Sequence, residues 1–255
     1  MKGKELHAFL DGLVEQHNHP DFIQSDPILI PHRFTDPRDI EISGLIAATF
    51  AWGQRVTIIN KATDFIDRMD NDPAGFVQSF KPSDLKAFLS FKHRTFNGDD
   101  ALSLLYFLQD IYQNYDSLEA FFIKSKEDKI KHGLVQLNTH FRGLTSTLKR
   151  SHKHMSNPAK NSACKRLNMY LRWMVRKDEK GVDFGIWDKI SMSDLIIPLD
   201  VHVIRAAMKL RLIKTEKANW KTAETLTQVL RKFDPLDPVK YDYALFNYSL
   251  SLSNR

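Results

Sequence analysis

The sequence predicts an all-α fold, and three observations carry that prediction. Apolar residues recur at three- and four-residue spacing almost throughout the chain. No convincing run alternates with the period of two that a half-buried strand needs. Gly and Pro are scarce, ten each in 255 residues, which disfavours a turn-rich all-β chain. About ten or eleven helices are expected, with essentially no sheet and no repeat at a fixed period.

Taken in order, MKGKELHAFLDGLVEQ reads as a first helix: it carries acids within its apolar pattern and lacks the small-residue cleavage site of a signal peptide. Ile58, Ile59, Ala62, Phe65, Ile66 and Met69 mark a second buried face. Leu104, Leu105, Leu108, Ile111 and Tyr112 mark another, as do Ile130, Leu134, Leu137 and Phe141. Leu226, Val229, Leu230 and Phe233 repeat the rhythm near the end. Stop and start signals separate these runs at Asn71-Asp72-Pro73, Lys81-Pro82-Ser83-Asp84, Asn97-Gly98-Asp99-Asp100 and Asp234-Pro235-Leu236-Asp237-Pro238. Asp36, Asp39, Asp234 and Asp237 are spaced as helix-start caps. Residues 150–162 are polar and basic and read as an exposed connection or tight hairpin feeding a helix over 163–176. The loop 177–197 runs into Pro198-Leu199-Asp200, and VHVIRAAMKL after it is a clean helix with Asp200 at its N-cap.

Composition narrows the function classes. Hydrophobic content of 42% and charged content of 27% are ordinary for a globular chain. No stretch approaches the roughly 18 apolar residues of a membrane span, so no membrane partner is expected. The single cysteine, Cys164, excludes an intramolecular disulfide and a cysteine-cluster metal site. The ten histidines do not cluster at metal-ligand spacing. No metal and no cofactor is expected, and a reducing, cytoplasmic setting fits. The net charge is +6, and nine Lys/Arg with no acid fall between Lys149 and Lys177; taking those nine from +6 leaves the rest of the chain at −3. A positive field so concentrated suits a phosphate backbone, whose counterions it would release; a solvated basic face is the alternative.

Three positions could carry chemistry. Lys165 stands near the start of its helix, where the helix dipole and Arg166 would lower its pKa and make the amine a usable nucleophile. Taken alone, it reads as a solvated surface lysine, as most helical lysines are. Asp200 reads as a cap, or as a rigidly held carboxylate able to stabilise positive charge or activate a nucleophile. Gln54, in the break Trp52-Gly53-Gln54-Arg55, reads as a polar loop residue, or as a side chain that fills the gap left by a flipped base. Trp52, Trp173 and Trp187 are core aromatics, or surfaces for an extruded base.

The order of these pieces carries a resemblance. LIAATFAWGQRVTIINKAT resembles the first helix pair of endonuclease III-like glycosylases, with Asn60-Lys61-Ala62-Thr63 as its second-helix run. CKRLNMYLRW resembles the helix after their hairpin, with Lys165 as nucleophile and Asn168 three residues on. PLDVHVIRAA resembles the catalytic-aspartate segment, in the form found in 8-oxoguanine glycosylases, and PVKYDYALFNYSL the last packing helix. The chain from about residue 39 to 250 thus resembles the helix-hairpin-helix DNA glycosylases. It is nearest to the archaeal 8-oxoguanine branch, where a wide lysine–aspartate gap and a divergent hairpin also occur. The hairpin departs from the usual Leu-Pro-Gly-Val-Gly: here it reads NPAKNSAC, without glycine. The cysteines of the endonuclease III iron–sulfur loop are missing. Asp26 to Arg55 also resembles the start of a bacterial family of unknown function, a likeness that spans the whole chain.

What the glycosylase resemblance implies is specific. The fold would be two helical lobes with a cleft between them: residues 39–176 as a helical barrel, and 1–38 with 177–255 as the second lobe. The partner would be double-stranded DNA with a damaged base, bound by a monomer. Lys165 and Asp200 would be the catalytic pair of a bifunctional glycosylase and abasic-site lyase acting on an oxidised base such as 8-oxoguanine. Gln54, Arg55, Lys153, Lys160, Arg166, His202 and Arg205 would contact DNA, and Trp52 and Trp173 would line the base pocket. The rival readings are a DNA-binding protein that has lost catalysis on the same scaffold, and a helical protein–protein adaptor whose basic segment meets an acidic partner.

Overall fold

The computed structural model describes residues 3–123 and 129–253. The fold is all-α: eleven α-helices and several short 3₁₀ turns among the described residues, with one two-residue hairpin pairing β1 (Lys92–His93) with β2 (Phe96–Asn97). No helix among these residues is long and apolar enough to cross a membrane. The chain divides into two compact units, Ser25–Asn157 and Met1–Gln24 with Pro158–Arg255. The division falls at 24/25 and 157/158 in place of the expected 38/39 and 176/177, and the helix that begins at Lys165 belongs with Asp200.

The unit Ser25–Asn157 is built on α2 (Pro37–Phe50), in which every residue from Ile40 to Phe50 is buried. Its start is set by Pro37 at the first position and by Asp36, whose carboxylate accepts from Arg38 N at 2.8 Å. Asp39, expected as a cap, instead accepts from Ala74 N at 2.8 Å and ties α2 to α4 (Pro73–Ser79). Helix α3 (Arg55–Asp67) packs on α2 through Ile58, Ala62, Phe65 and Ile66. Around Phe50 the rings of Phe65, Phe91 and Phe96 lie 4.9–5.3 Å away between centroids, the aromatic centre of this unit. Helices α5 (Gly98–Asn114), α6 (Leu118–Phe122) and α7 (Lys129–Gly143) complete it.

Helix α5 opens with a reciprocal capping box between Asn97 and Asp100. Asp100 is buried and also accepts from the Ser151 hydroxyl at 2.7 Å, with Arg150 Nη2 at 3.3 Å and His154 Nε2 at 3.4 Å. It therefore holds the 3₁₀ turn Lys149–His154 against α5. That segment is not simply an exposed connection, since Ser151 and Met155 are buried.

In the other unit, α11 (Tyr241–Ser253) packs against α1 (Gly3–His17) and α9 (Val201–Lys209), beside α8 (Lys165–Val175) and α10 (Trp220–Leu230). Asp237 caps the 3₁₀ turn Pro238–Lys240, as its spacing foretold; Asp234 heads no helix and instead accepts from Leu236 N and Asp237 N at 2.9 Å each across a bend.

Two predictions follow from this packing. A Cβ at Gly133 in α7 would strike the Phe122 ring, whereas one at the exposed Gly12 in α1 meets nothing within 4 Å. Gly133→Ala should lose about 1–3 kcal/mol, and Gly12→Ala should gain about 0.5–1 kcal/mol; thermal melts showing the reverse order would contradict the packing. Burial alone would raise the Asp100 carboxyl, but His154, Ser151 and the Asn97 amide override it and bring it down to about 2. A carboxyl so lowered stabilises the fold above the ordinary range near 4, and that stabilisation is lost as pH falls through about 2. Asp100→Asn is therefore expected to cost about 2 kcal/mol at pH 7 in urea unfolding, with the deficit shrinking as the pH drops from 4 toward 2.

Candidate functional site

The segment before α8 turns twice through the left-handed region, at Asn161 (φ 59°) and Cys164 (φ 49°). Neither is glycine, and Asn is the better suited of the two to that conformation. Ser162 forms a bridge with Asn219, and Trp220 N donates to Asn161 O at 3.3 Å, which ties the turn to the start of α10. Asn168, 1% exposed, closes the turn from inside: its Nδ2 donates to Ala163 O at 3.1 Å and its backbone N to Cys164 O at 2.8 Å. Helix α8 therefore starts at a fixed place, and its first residue is Lys165.

Lys165 is half-buried, and its Nζ lies 3.9 Å from Asp200 Oδ2 and 3.7 Å from Met169 Sδ, one turn along α8. Asp200 is fixed by the start of α9. Its Oδ1 accepts from His202 N and Val203 N at 2.9 Å each, so the cap uses one oxygen and the other faces the amine. The cap and the paired carboxylate, alternatives at the level of sequence, are one residue doing both. At 3.9 Å the contact is an ion pair without a direct hydrogen bond.

Along the same face of α8, Arg172 and Arg176 enter a buried charge network. Arg172 Nε donates to Asp183 Oδ1 at 3.2 Å and its Nη1 to Asp242 Oδ2. Arg176 Nε donates to Asp237 Oδ2 at 2.8 Å, and its Nη1 reaches Asp183 Oδ2 at 3.0 Å and Asp178 Oδ2 at 2.7 Å. The Tyr243 hydroxyl donates to Asp183 Oδ2 at 3.0 Å, and the Arg172 guanidinium lies over the Tyr243 ring at 4.4 Å. Burial works against the charge on Arg176, but Asp183, Asp237 and Asp178 hold it firmly protonated. Burial pushes the Asp237 carboxyl up despite Arg176, and pushes Asp242 up to about 6 despite Arg172.

This network changes the reading of the basic segment. Arg172 and Arg176 are buried beside acids from later in the chain, and Arg150 is paired with Asp99 and Asp100. Lys149, Lys153, Lys160 and Lys177 of that segment stand in solvent, as does Arg150 despite its pairing. Arg166 is drawn partly inward, and burial brings its pKa down to about 10.

The remaining expected residues fall into two groups. Lys160 and Arg205 are exposed, and His202 is half-buried with its ring edge-on to Phe246 at 5.3 Å, all in the unit that holds Lys165 and Asp200. Gln54, Arg55, Trp52 and Lys153 belong to the unit Ser25–Asn157. There Gln54 is exposed at the N-cap of α3, making no side-chain cap bond, and Arg55 pairs with Asp26 at 3.6 Å. Trp52 is half-buried against the rings of His93, at 4.7 Å, and His154, at 5.9 Å. Trp173 is not a pocket wall: it is 0% exposed, a core side chain in the middle of α8. Trp187 is also buried, edge-on to Tyr170.

Sequence reasoning did not single out Asp242, Asp183 or their arginines. One signal was there: an acid between two tyrosines in the apolar run YDYALF needs a buried partner. Asp183 neutralises two arginines at once. Asp183→Asn should destabilise the chain by about 3–5 kcal/mol, because it leaves buried positive charge uncompensated; urea unfolding within 1 kcal/mol of the parent would contradict the network's role.

No curated protein and no solved structure matches this chain. Over residues 26–251 it matches the family described as "Protein of unknown function (DUF2400)", a span that starts where the Asp26–Arg55 resemblance does. That match covers most of the sequence, and the chain belongs to this family.

Proposed function

We propose that this protein is a DNA base-excision glycosylase with abasic-site lyase activity, acting on duplex DNA with an oxidised base such as 8-oxoguanine. The observation that carries the reading is the Lys165–Asp200 pair: an amine at the start of α8 facing the free oxygen of a carboxylate whose other oxygen is locked by α9. Asp200 takes the proton from the Lys165 ammonium and passes it on to the departing base, and the carboxylate so regenerated stabilises positive charge at C1′ as the glycosidic bond breaks. The free Lys165 amine bonds to C1′ and the base departs with the electron pair of the broken bond, taking up a proton. Ring opening gives a Schiff base between Lys165 and the sugar. Loss of a C2′ proton and departure of the 3′ phosphate then cleave the strand by β-elimination. The damaged base has to leave the stack to be reached. Exposed Lys160 and Arg205, in the unit that holds the pair, supply phosphate contacts.

The glycine-free turn favours a second reading, a DNA-binding protein without catalysis. Non-glycine residues at Asn161 and Cys164 put side chains where the related hairpin presents bare backbone. That reading predicts salt-sensitive DNA binding that Asp200→Asn leaves unchanged.

Incubation with duplexes carrying 8-oxoguanine, thymine glycol, uracil or an abasic site, followed by borohydride, separates the two. A covalent adduct that disappears in Lys165→Gln and falls at least about 100-fold in rate in Asp200→Asn is expected. Absence of both adduct and base release on every duplex would overturn the proposal.

A further inference from the structure

A second basic segment lies downstream of the first. From Lys209 to Lys221 the chain carries five cations, Lys209, Arg211, Lys214, Lys217 and Lys221, against one acid, Glu216. All five are exposed, and with Lys160 they belong to the unit that holds Lys165 and Asp200. Among the described residues, no acid lies within ion-pair distance of these five side chains or of Lys160. That separates them from Arg150, Arg172 and Arg176, whose charges are answered inside the fold.

Backbone contacts bring the two segments together. Ser162 and Asn219 form an antiparallel bridge, and Trp220 N donates to Asn161 O at 3.3 Å. Lys160 precedes the bridge by two residues on one strand of it, and Lys217 and Lys221 flank it by two residues on the other. The turn's own amides are engaged: Asn161 N donates to Pro158 O at 2.9 Å and Cys164 N to Ser162 Oγ at 3.3 Å. What stands beside this turn for a phosphate is therefore charged side chains, not bare backbone.

The end of α9 points the same way. Arg211 N donates to Met208 O at 3.0 Å and Leu212 N to Ala207 O at 2.8 Å, the paired bonds that close a helix over a left-handed residue. Glycine is the usual residue there, yet the position is Arg211 at φ 58°. A backbone outlier kept at a charged residue points to a use for the charge.

The segment's apolar residues narrow the partner. Leu210, Leu212, Ile213 and Trp220 are all buried, so no large apolar or aromatic side chain of 209–221 is exposed. A membrane-surface binder needs exposed apolar anchors. A protein interface needs an aromatic or apolar centre, and a single strand needs aromatic rings to stack on. Cations without any of these fit the phosphate backbone of a duplex.

We propose that Lys160 and the segment 209–221 form one phosphate-binding surface, which grips the backbone of duplex DNA beside the turn that leads into Lys165. The inference rests on the reading of this chain as acting on duplex DNA. It gives the grip to lysine and arginine side chains drawn from two distant segments and joined by the Ser162–Asn219 bridge.

Binding of the full-length protein to an undamaged, fluorescently labelled duplex is measured by anisotropy between about 50 and 200 mM salt. The triple variant Lys160→Ala, Lys217→Ala, Lys221→Ala should flatten the slope of log affinity against log salt by about 1 for each lysine. It should also bind roughly 10- to 100-fold more weakly at about 100 mM salt. Arginine at the same three positions should keep the parent slope. The control triple Lys4→Ala, Lys86→Ala, Lys232→Ala removes as much charge elsewhere and should change the slope by less than about 1. Arg211→Gly should flatten the slope by about 1 while raising the melting temperature, a combination that misfolding does not produce. An unchanged slope in the first triple variant overturns the proposal, and so does an equal loss in the control. If the first triple variant does not fold, the slope of Arg211→Gly decides in the same way. Tighter binding to phosphatidylserine vesicles or to polyglutamate than to the duplex also overturns it. Borohydride trapping on an abasic-site duplex is run alongside. The expected slopes without an adduct remove the lyase reading alone, and an adduct with unchanged slopes removes this surface alone.

Discussion

The two oxygens of Asp200 divide their work, and the rest of the site depends on that division. The amides of the second and third residues of α9, His202 and Val203, donate to Oδ1, which fixes the side chain as a helix cap does, by about 1 kcal/mol. The bound oxygen cannot turn away without giving up both amides, so Oδ2 stays on the Lys165 side. The amine is placed with similar economy. Asn168 stitches the turn before α8 from inside, so that the helix cannot start one residue earlier or later without moving Lys165 around its circumference. A carboxylate and an amine are thus set opposite each other by backbone hydrogen bonds, before any ligand contributes.

Below this pair the same helix changes character. Lys165 is part-exposed, yet Arg172 and Arg176 on the same face are buried among Asp183, Asp237 and Asp242. Guanidinium groups suit this role because their fixed fork satisfies two or more carboxylates at once. The network ties α8 to the following loop and to α11, all within one compact unit. Such a network is weak evidence of stabilisation by itself, since desolvation offsets most of its attraction, but it is intolerant of losing any one charge. Its consequence for the site is a floor that cannot shift independently of Lys165.

Much of this was legible in the sequence. The apolar spacing of Ile58 to Met69 and of Leu104 to Tyr112 marks buried helical faces, and Asp36, Asp237 and Asp200 are read correctly as capping groups, because caps and amphipathic faces are local. Lys165 and Asp200 were singled out, and they meet although 35 residues separate them. What was not legible is non-local. The run of nine cations looked like one solvent-facing field because their acidic partners lie elsewhere in the chain: Asp99 and Asp100 before it, and Asp183, Asp237 and Asp242 after it. The chain divides at 157/158 and not after residue 176, and the acids that Arg172 and Arg176 pair with here, Asp183, Asp237 and Asp242, lie downstream in the same unit. Trp173 was offered as a pocket wall, but α8 is apolar around most of its circumference from Leu167 to Val175, so helical position alone does not say which side is open.

The proposed chemistry requires that one amine of this chain, Lys165, be set apart by the carboxylate facing it. The most direct measurement is peptide mapping by mass spectrometry of the borohydride-fixed protein–DNA adduct, made with the unaltered protein. A single modified residue, Lys165, is expected. A cross-link at the N-terminal amine or at another lysine, with Lys165 unmodified, would contradict it.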